Sequence, residues 1–236
     1  MTAKGSFLAQ EKCHTIAALI WRPDTRNAIA WRKRREVRII DLHKSDLDKI
    51  RQVAEILNVS FHGHCPDYED MNDALKKVNE SFEDHQLSRI ALEDDGEVLG
   101  WIGGIRMYMG NVWEIDPLVV KKNTQGKGVG KALIDDFEEQ VGKQGARTIW
   151  LGTDDEDGRT NLGDCELYPD VLGKARDIED IGGHPFKFYQ RMGFEIVGVL
   201  PDANGFGKPD IYMAKRVKTA EVAQFPRTFS TGCSIK

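Results

Sequence analysis

The stretch Thr124–Leu133, TQGKGVGKAL, places three glycines within five residues at the start of a helical pattern. Glycine loses more conformational entropy on folding than any other residue, so a cluster of glycines indicates that another group approaches the backbone closely. The first turn of a helix carries unpaired N–H groups and the positive end of the helix dipole. Together these features predict an anion site, most often for phosphate. The alternative is a flexible turn before an ordinary helix.

Two common phosphate-binding patterns do not fit this stretch. The Walker pattern requires glycine where Gln125 stands and Ser or Thr where Ala132 stands. The dinucleotide pattern G-x-G-x-x-G requires a third glycine where Lys131 stands. A third pattern, Gln/Arg-x-x-Gly-x-Gly/Ala, is matched by Gln125, Gly128 and Gly130. The segment Gln125, Gly126, Lys127, Gly128, Val129, Gly130 and Lys131 is therefore the expected anion site.

Length and composition indicate an ordinary globular protein. The 236 residues suffice for one large domain or two small ones, and 40% hydrophobic with 30% charged residues is typical of water-soluble chains. No apolar run has the length of a membrane span. The four cysteines are scattered without a C-x-x-C pair, which predicts neither a metal site nor a disulfide framework and favours a reducing cytoplasm.

Charge is distributed unevenly along the chain. The net charge is −5, but residues 1–38 carry nine Lys or Arg against three Asp or Glu, and residues 39–217 carry −13. An acidic body argues against nucleic acid as the main partner and would attract a cation. The alternative is that these charges serve only solubility.

The sequence patterns predict one folded domain at residues 36–217. Residues 1–35, which include a basic cluster at 32–35, are expected to form a disordered or loosely attached extension, and residues 218–236 a tail. Apolar periodicity and turn signals predict the order β-α-α-β-β-β-α-β-α-β-β. Ser45 is the expected N-cap of the first helix, and residues 152–183 are expected to be a loop. The order predicts a mixed α+β fold with the glycine segment near its centre.

The chain resembles the GNAT superfamily of acyltransferases, in which the third pattern above is the pyrophosphate loop. Four further stretches resemble its aminoglycoside 6′-N-acetyltransferase branch, and the likeness covers roughly residues 37–217. These stretches are WEIDPLVV (113–120), LGTDD (151–155), HPFKFY (184–189) and VGVLPDANGFGKPDIYMAK (197–215). The resemblance implies a mostly antiparallel central sheet flanked by helices and splayed at its central strands.

The resemblance also implies that the chain binds acetyl-CoA. Pro117 cannot donate a hydrogen bond to a sheet ladder, which agrees with a bulge in the central strand. The pantetheine arm of coenzyme A would insert beside this strand and bind the main chain of Leu118, Val119 and Val120. The N–H of Leu118 is the expected oxyanion donor. An edge strand or a strand end is the alternative explanation of Pro117.

Two side chains are expected to transfer protons. Glu114 would hold the acceptor ammonium and accept its proton through water, and Tyr189 would protonate the leaving thiolate. Asp116 stands where the family pattern often has histidine. Because alternate residues of a strand share a face, Glu114 and Asp116 are expected to form a cation site. A packed aromatic side chain is the alternative role of Tyr189.

An aminoglycoside carries several ammonium groups, so an acidic surface is expected to bind it. Residues 154–170 hold seven carboxylates against one arginine. The expected acceptor contacts are Phe61, His64, Tyr108, Glu114, Asp116, Asp155 and Asp157. A solvated acidic loop is the alternative.

Three functions remain open from the sequence. The first is acetylation of the 6′-amine of aminoglycosides by direct attack, with antibiotic resistance as the consequence. The second is acetylation of a polyamine, a peptide or a protein lysine. The third is a coenzyme A-binding module without catalysis. Many relatives are dimers, so a homodimer is expected, and neither a membrane nor a nucleic acid partner is expected.

Overall fold

A computed structural model describes residues 37–62, 68 and 70–218. The expected extension at residues 1–35, the expected tail beyond residue 218 and His64 lie outside the described residues. Within the described residues, no helix has both the length and the apolar character needed to cross a membrane.

The described residues form seven strands and five α-helices in the order β-α-α-β-β-β-α-β-α-α-β-β. Their bounds are β1 (Arg38–Asp41), α1 (Leu47–Phe61), α2 (Met71–Glu80), β2 (Gln86–Leu92), β3 (Val98–Met107), β4 (Val112–Val120), α3 (Val129–Lys143), β5 (Thr148–Asp154), α4 (Val171–Arg176), α5 (Phe186–Arg191), β6 (Glu195–Leu200) and β7 (Asp210–Arg216).

The strands form one sheet in the order β1-β2-β3-β4-β5-β7-β6. Among the strands that the structure describes, only β4 and β5 are parallel, and α3 is the crossover between them. All other neighbours are antiparallel. This topology confirms the predicted mixed, mostly antiparallel sheet with flanking helices.

Each face of the sheet has its own hydrophobic core. On one face, α3 and α5 pack against apolar side chains of β3, β4, β5 and β7, including Ile115, Leu118 and Ile211. On the other face, α1 and α2 pack against β2 and β3 and against Val119 of β4. The two helix layers leave the α1/α2 face of β5 and β7 without a helix of either core.

Two local expectations were wrong. The N-cap of α1 is Asp46 and not Ser45, and its side chain makes no capping hydrogen bond. The region expected to be a loop contains α4, whose N-cap Asp170 accepts a hydrogen bond from the N–H of Gly173 at 3.2 Å. This helix is only six residues long, too short for a clear apolar period.

A bulge in the middle of β4 confirms the expectation based on Pro117. Leu118 is opposite Ile102 and Ile115 is opposite Gly104, so two residues of β4 face the single residue Gly103. A Cβ atom on Gly103 would lie 2.5 Å from the main-chain oxygen of Asp116. The bulge therefore requires glycine at position 103.

Candidate active site

The two parallel strands β4 and β5 separate halfway along their length. Their pairing ends at Glu114 and Trp150, although β4 continues to Val120 and β5 to Asp154. This gap is the splay that the resemblance implied. Main-chain groups of β4 beyond Glu114 have no ladder partner in β5, so an extended ligand can bind there as an additional strand would.

The direction of the main-chain groups of β4 follows from the hydrogen bonds at its end. The N–H of Lys121 donates to Leu99 of β3 at 2.8 Å. Main-chain groups of alternate residues point to the same side, so those of Val119 point toward β3 and those of Leu118 and Val120 point into the gap. The Leu118 N–H therefore lies where the oxyanion donor was expected.

The glycine segment leads from β4 into α3 through two left-handed residues. Gly126 has φ +74° and Gly128 has φ +91°, and a Cβ atom on either would meet no atom within 4 Å. The N-terminus of α3 has no side-chain cap, and the first helical bond is from Ala132 to Gly128 at 3.0 Å. The N–H groups of residues 128–131 have no acceptor among the described residues. This open helix start is suited to an anion.

The other members of the segment have separate roles. The Gln125 side chain donates to the Val120 carbonyl at 3.2 Å, which holds the segment against the end of β4. A Cβ atom on Gly130 would lie 3.2 Å from the Phe188 ring, so this glycine allows α3 to pack on α5. Val129 is buried in the core, and Lys131 is exposed and paired with Asp135. Lys127 is exposed.

Tyr189 is fully buried in the same core as Leu118 and Val120. Its ring contacts Phe188 and Phe194, with centroid distances of 5.2 and 5.6 Å. Its hydroxyl has no hydrogen-bond partner among the described residues, and burial raises the pKa of this phenol. A buried hydroxyl normally has a partner, so this group can accept or donate a hydrogen bond when a ligand reaches it. Its high pKa keeps it protonated and able to donate.

Glu114 lies on the opposite face of the sheet, at the last pair before the gap. Its neighbours Trp113 and Ile115 belong to the core under α3, so the alternation of a strand turns Glu114 away from that core. The side chain is 4% exposed. The structure therefore positions a nearly buried carboxylate beside the point where the strands separate.

Two further carboxylates, which the sequence analysis did not select, lie on this face. Asp154 and Asp210 are directly opposite each other in β5 and β7. Asp210 is 2% exposed, and its Oδ1 has no hydrogen-bond partner among the described residues. Burial, then the charge of Asp154 and to a lesser extent that of Glu114, raise the pKa of Asp210 to about 8. An ammonium ligand would relieve this repulsion.

Strand alternation is the signal that could have identified these residues. Ile211 and Met213 face the core under α3, so Asp210 and Tyr212 face the other side. Trp150 contacts Tyr212 edge to face at 5.6 Å. We call this surface the acceptor face, and it comprises Glu114, Asp116, Trp150, Asp154, Asp210 and Tyr212.

Asp116 is on the acceptor face but is already paired within the protein. Its Oδ2 lies 2.6 Å from the Nζ of Lys77 in α2. The two side chains are only 10% and 18% exposed, respectively. The expectation that Asp116 binds an acceptor ammonium is corrected, because Lys77 is the cation that neutralises it. Lys77 was not selected from the sequence, since nothing local indicates its distant partner.

The Asp155 carboxylate stabilises its own loop. It is fully buried and accepts hydrogen bonds from the N–H of Arg159 at 2.6 Å and from the N–H and hydroxyl of Thr160 at 2.9 and 2.6 Å. Both oxygens are therefore used, and Asp155 is not available as an acceptor contact. Asp157 is 41% exposed and lies 3.6 Å from Arg159, so it remains accessible.

The aromatic residues expected in the pocket are not brought together. Phe61 is fully buried in the core beneath α1 and α2, where its ring contacts Tyr68 at 5.2 Å. It therefore does not line an open pocket. Tyr108 is 72% exposed at the turn between β3 and β4.

His184 connects the acidic loop to the catalytic elements. Its Nε2 donates to the Asp154 carbonyl at 2.9 Å, and its Nδ1 accepts from the N–H of Phe186 at 3.2 Å. Burial lowers the pKa of this imidazole, which favours the neutral form that both bonds require. The histidine thus holds the end of β5 beside α5.

These features fit coenzyme A. The open N-terminus of α3 and the two left-handed glycines can hold a pyrophosphate, and the gap between β4 and β5 can hold an extended arm. The orphaned Tyr189 hydroxyl provides an independent sign that a ligand completes the site. No cluster of His, Cys, Asp or Glu within the described residues has the arrangement of a metal site.

Comparisons with known proteins agree with the geometry. The family model of the acetyltransferase (GNAT) family matches residues 50–170. A crystal structure of an aminoglycoside 6′-N-acetyltransferase complexed with coenzyme A is 33% identical, with a TM-score of 0.71, and the match covers 77% of this chain and 98% of that one.

Two further solved structures extend this result. The aminoglycoside 6′-N-acetyltransferase from Enterococcus faecium is 34% identical over the same shares, 77% and 98%, with a TM-score of 0.70. An aminoglycoside 6′-acetyltransferase of type Ii is 28% identical over 77% and 98%, with a TM-score of 0.59. The search of curated proteins gave no match. The chain belongs to the GNAT family of acetyltransferases, and its acetyl donor is acetyl-CoA.

Proposed function

We propose that this enzyme acetylates the 6′-amine of aminoglycosides. The observation that carries the proposal is the acceptor face, where Glu114, Asp154 and Asp210 lie beside the gap that receives the acetyl donor. Three acidic side chains with little exposure favour a ligand with several positive charges, because an ammonium beside them would offset the crowding that raises the pKa of Asp210. The solved aminoglycoside 6′-N-acetyltransferases at 33% and 34% identity support the same acceptor class.

Each residue of the site has a defined task in this reaction. Acetyl-CoA supplies the acetyl group as a thioester. Glu114 holds the acceptor ammonium and takes its proton through water, which leaves a neutral amine for direct attack. The Leu118 N–H stabilises negative charge on the carbonyl oxygen, a contribution of about 3 kcal/mol. The Tyr189 hydroxyl protonates the leaving thiolate, and its buried, neutral state suits that task.

The decisive experiment is a thiol-release assay with two matched acceptors. Neomycin has an amine at the 6′ position, and paromomycin has a hydroxyl there. We expect turnover with neomycin, a singly acetylated product by mass spectrometry, and no turnover above background with paromomycin. Equal turnover with both compounds would show that another amine is acetylated.

The same assay distinguishes the other two candidates. Turnover with spermidine or a lysine peptide, and with neither aminoglycoside, would assign the enzyme to a different amine. Coenzyme A binding without turnover on any acceptor would indicate a non-catalytic module. Glu114→Gln is the control, because it removes the carboxylate charge and preserves the shape.

We further propose that the enzyme confers aminoglycoside resistance from the cytoplasm, where acetyl-CoA is available. Expression in a susceptible bacterium should raise the inhibitory concentration of neomycin, and the Glu114→Gln variant should not.

We also propose a homodimer. The edge strand β6 leaves Val197 and Leu200 exposed, which supports association. Size-exclusion chromatography coupled to light scattering measures the mass in solution, and a mass of one chain would contradict the homodimer.

A further inference from the structure

The ion pair of Lys77 and Asp116 changes the charge of the acceptor face. The residues are 39 positions apart, and the fold brings them to 2.6 Å. Lys77 is 18% exposed and Asp116 10% exposed at their side chains, so water screens the pair weakly. The pair is neutral as a unit. Asp116 therefore adds no net negative charge beside Glu114, although the two residues share a face.

One oxygen of Asp116 remains available. Its Oδ1 is buried and has no hydrogen-bond partner among the described residues. Buried carboxylate oxygens ordinarily accept a hydrogen bond, so this atom indicates that a ligand provides the donor. A hydroxyl can donate to Oδ1 without adding charge. An ammonium at the same place would be repelled by Lys77, because the Nζ of Lys77 already neutralises the Asp116 carboxylate.

We propose that Lys77 is a specificity-determining residue that takes the place of a substrate ammonium beside Asp116. The acceptor group that reaches Asp116 Oδ1 is then an uncharged hydroxyl, and the ammonium groups are held by Glu114, Asp154 and Asp210. This inference rests on the proposed function and refines it, since it states where the acceptor carries hydroxyl and where it carries charge.

Kanamycin A and kanamycin B provide a matched test. They differ at the 2′ position of the ring that carries the 6′-amine, where kanamycin A has a hydroxyl and kanamycin B an amine. The quantity to measure is the ratio of kcat/KM for kanamycin B to that for kanamycin A. Lys77→Met removes the internal cation at nearly constant length, and Lys77→Arg keeps it. The double variant Lys77→Met with Asp116→Asn removes both charges.

The expected ratios are distinct for each variant. Lys77→Met raises the ratio about tenfold, because the freed Asp116 can pair with the additional ammonium. Lys77→Arg leaves the ratio as in the wild type, and the double variant restores it. Asp116→Asn alone lowers the ratio, because the charge of Lys77 is then unpaired. This last variant also keeps the proposal testable if Lys77→Met does not fold.

Two results would overturn the proposal. One is an unchanged ratio in Lys77→Met, and the other is an equal rise in the double variant, since the charge of Asp116 would then be irrelevant. Lys76→Met is the matched control, because Lys76 is the exposed neighbour on the same helix. If the wild type acetylates neither kanamycin, the proposed function fails separately. The Kd for kanamycin A divided by the Kd for kanamycin B is then measured by calorimetry, and Lys77→Met is expected to raise this quotient.

Discussion

At the residue scale, the site is defined by polar atoms that the fold buries without partners. The Tyr189 hydroxyl and Asp210 Oδ1 have no hydrogen-bond partner among the described residues. Each such group costs about 1–3 kcal/mol of folding free energy. A chain that retains such groups gives up stability, and in the proposed function a bound ligand would recover the interactions.

Tyr189→Phe tests the residue as proton donor. We expect kcat to fall about 100-fold, with the Kd for coenzyme A unchanged. The melting temperature should stay equal or rise, because the substitution removes an unpaired buried hydroxyl. Stopped-flow thiol release and calorimetry measure the two effects. A stabilised variant with wild-type kcat would remove Tyr189 from the mechanism.

Asp210→Asn tests the acceptor carboxylate through its pH dependence. The pKa of Asp210 is about 8 in the folded protein against an ordinary 3.8, so the folded state holds a proton that the unfolded state releases. Stability from this group is therefore present at low pH and is lost as pH rises from about 4 to 8.

The variant does not titrate at position 210, so its melting temperature should exceed that of the wild type most clearly at pH 9. At pH 4 the difference should be smallest. The kcat/KM for neomycin should fall about tenfold, because one ammonium contact is lost. Differential scanning calorimetry at the two pH values measures the first effect. The control Asp94→Asn, in an exposed turn, should show no pH-dependent difference.

At the element scale, one glycine in β3 makes the bulge of β4 possible. The main-chain groups of Leu118 and Val120 beyond the bulge point into the gap, so the geometry of the neighbouring strand controls the direction of the proposed oxyanion donor. The end of β4 is then fixed by Gln125, and α3 starts at an open glycine N-cap. The acetyl-donor site is thus built by three consecutive elements.

Gly103→Ala is expected to cost about 2 kcal/mol of stability by overpacking. The added Cβ would lie 2.5 Å from the Asp116 carbonyl oxygen, and the bulge must shift. The kcat should fall as well, since Leu118 moves with the bulge. Urea unfolding and steady-state kinetics measure both effects. Gly198→Ala is the matched control, because its Cβ would lie 3.8 Å from Tyr212, an ordinary contact.

At the scale of the whole molecule, a charged network joins α3 to the far edge of the sheet. Arg89 of β2 donates from Nε and Nη2 to Asp136 at 2.7 and 2.8 Å and from Nη1 to Asp41 at 2.6 Å. The arginine and Asp136 side chains are 10% and 17% exposed. The network lies on strands away from the gap, so it contributes to stability and not to the chemistry.

Arg89→Met should lower the free energy of unfolding by about 3–5 kcal/mol, because it leaves Asp136 buried without its partner. The Kd for coenzyme A should be unchanged under conditions where the variant is folded. Urea unfolding provides the measurement. Arg51→Met is the control, since its pair with Glu55 is exposed and should contribute less than about 1 kcal/mol. Equal effects of the two substitutions would contradict the assigned role.

The sequence by itself determined the local features of this protein. The order of strands and helices agrees with the prediction apart from the additional short helix α4, and α3 begins directly after the glycine pair Gly126 and Gly128. The glycine segment predicted an anion site for the same reason, and the helix start without a side-chain cap is compatible with that prediction. Apolar periods, glycine conformations and helix starts depend on interactions between residues close in the chain, so a sequence pattern records them directly.

Only the tertiary structure decided which charges meet. Asp210 is paired with Asp154 through the register of β5 and β7, and Asp116 with Lys77 through the packing of α2 on the sheet. Asp155 belongs to the same acidic run as Asp154. Its carboxylate instead accepts hydrogen bonds from main-chain N–H groups of its own loop. Strand register and helix placement are set by the summed packing of both cores. No local pattern specifies them. Strand alternation could place Asp154 and Asp210 on one face, but only the fold shows that they are opposite each other and that Lys77 pairs with Asp116.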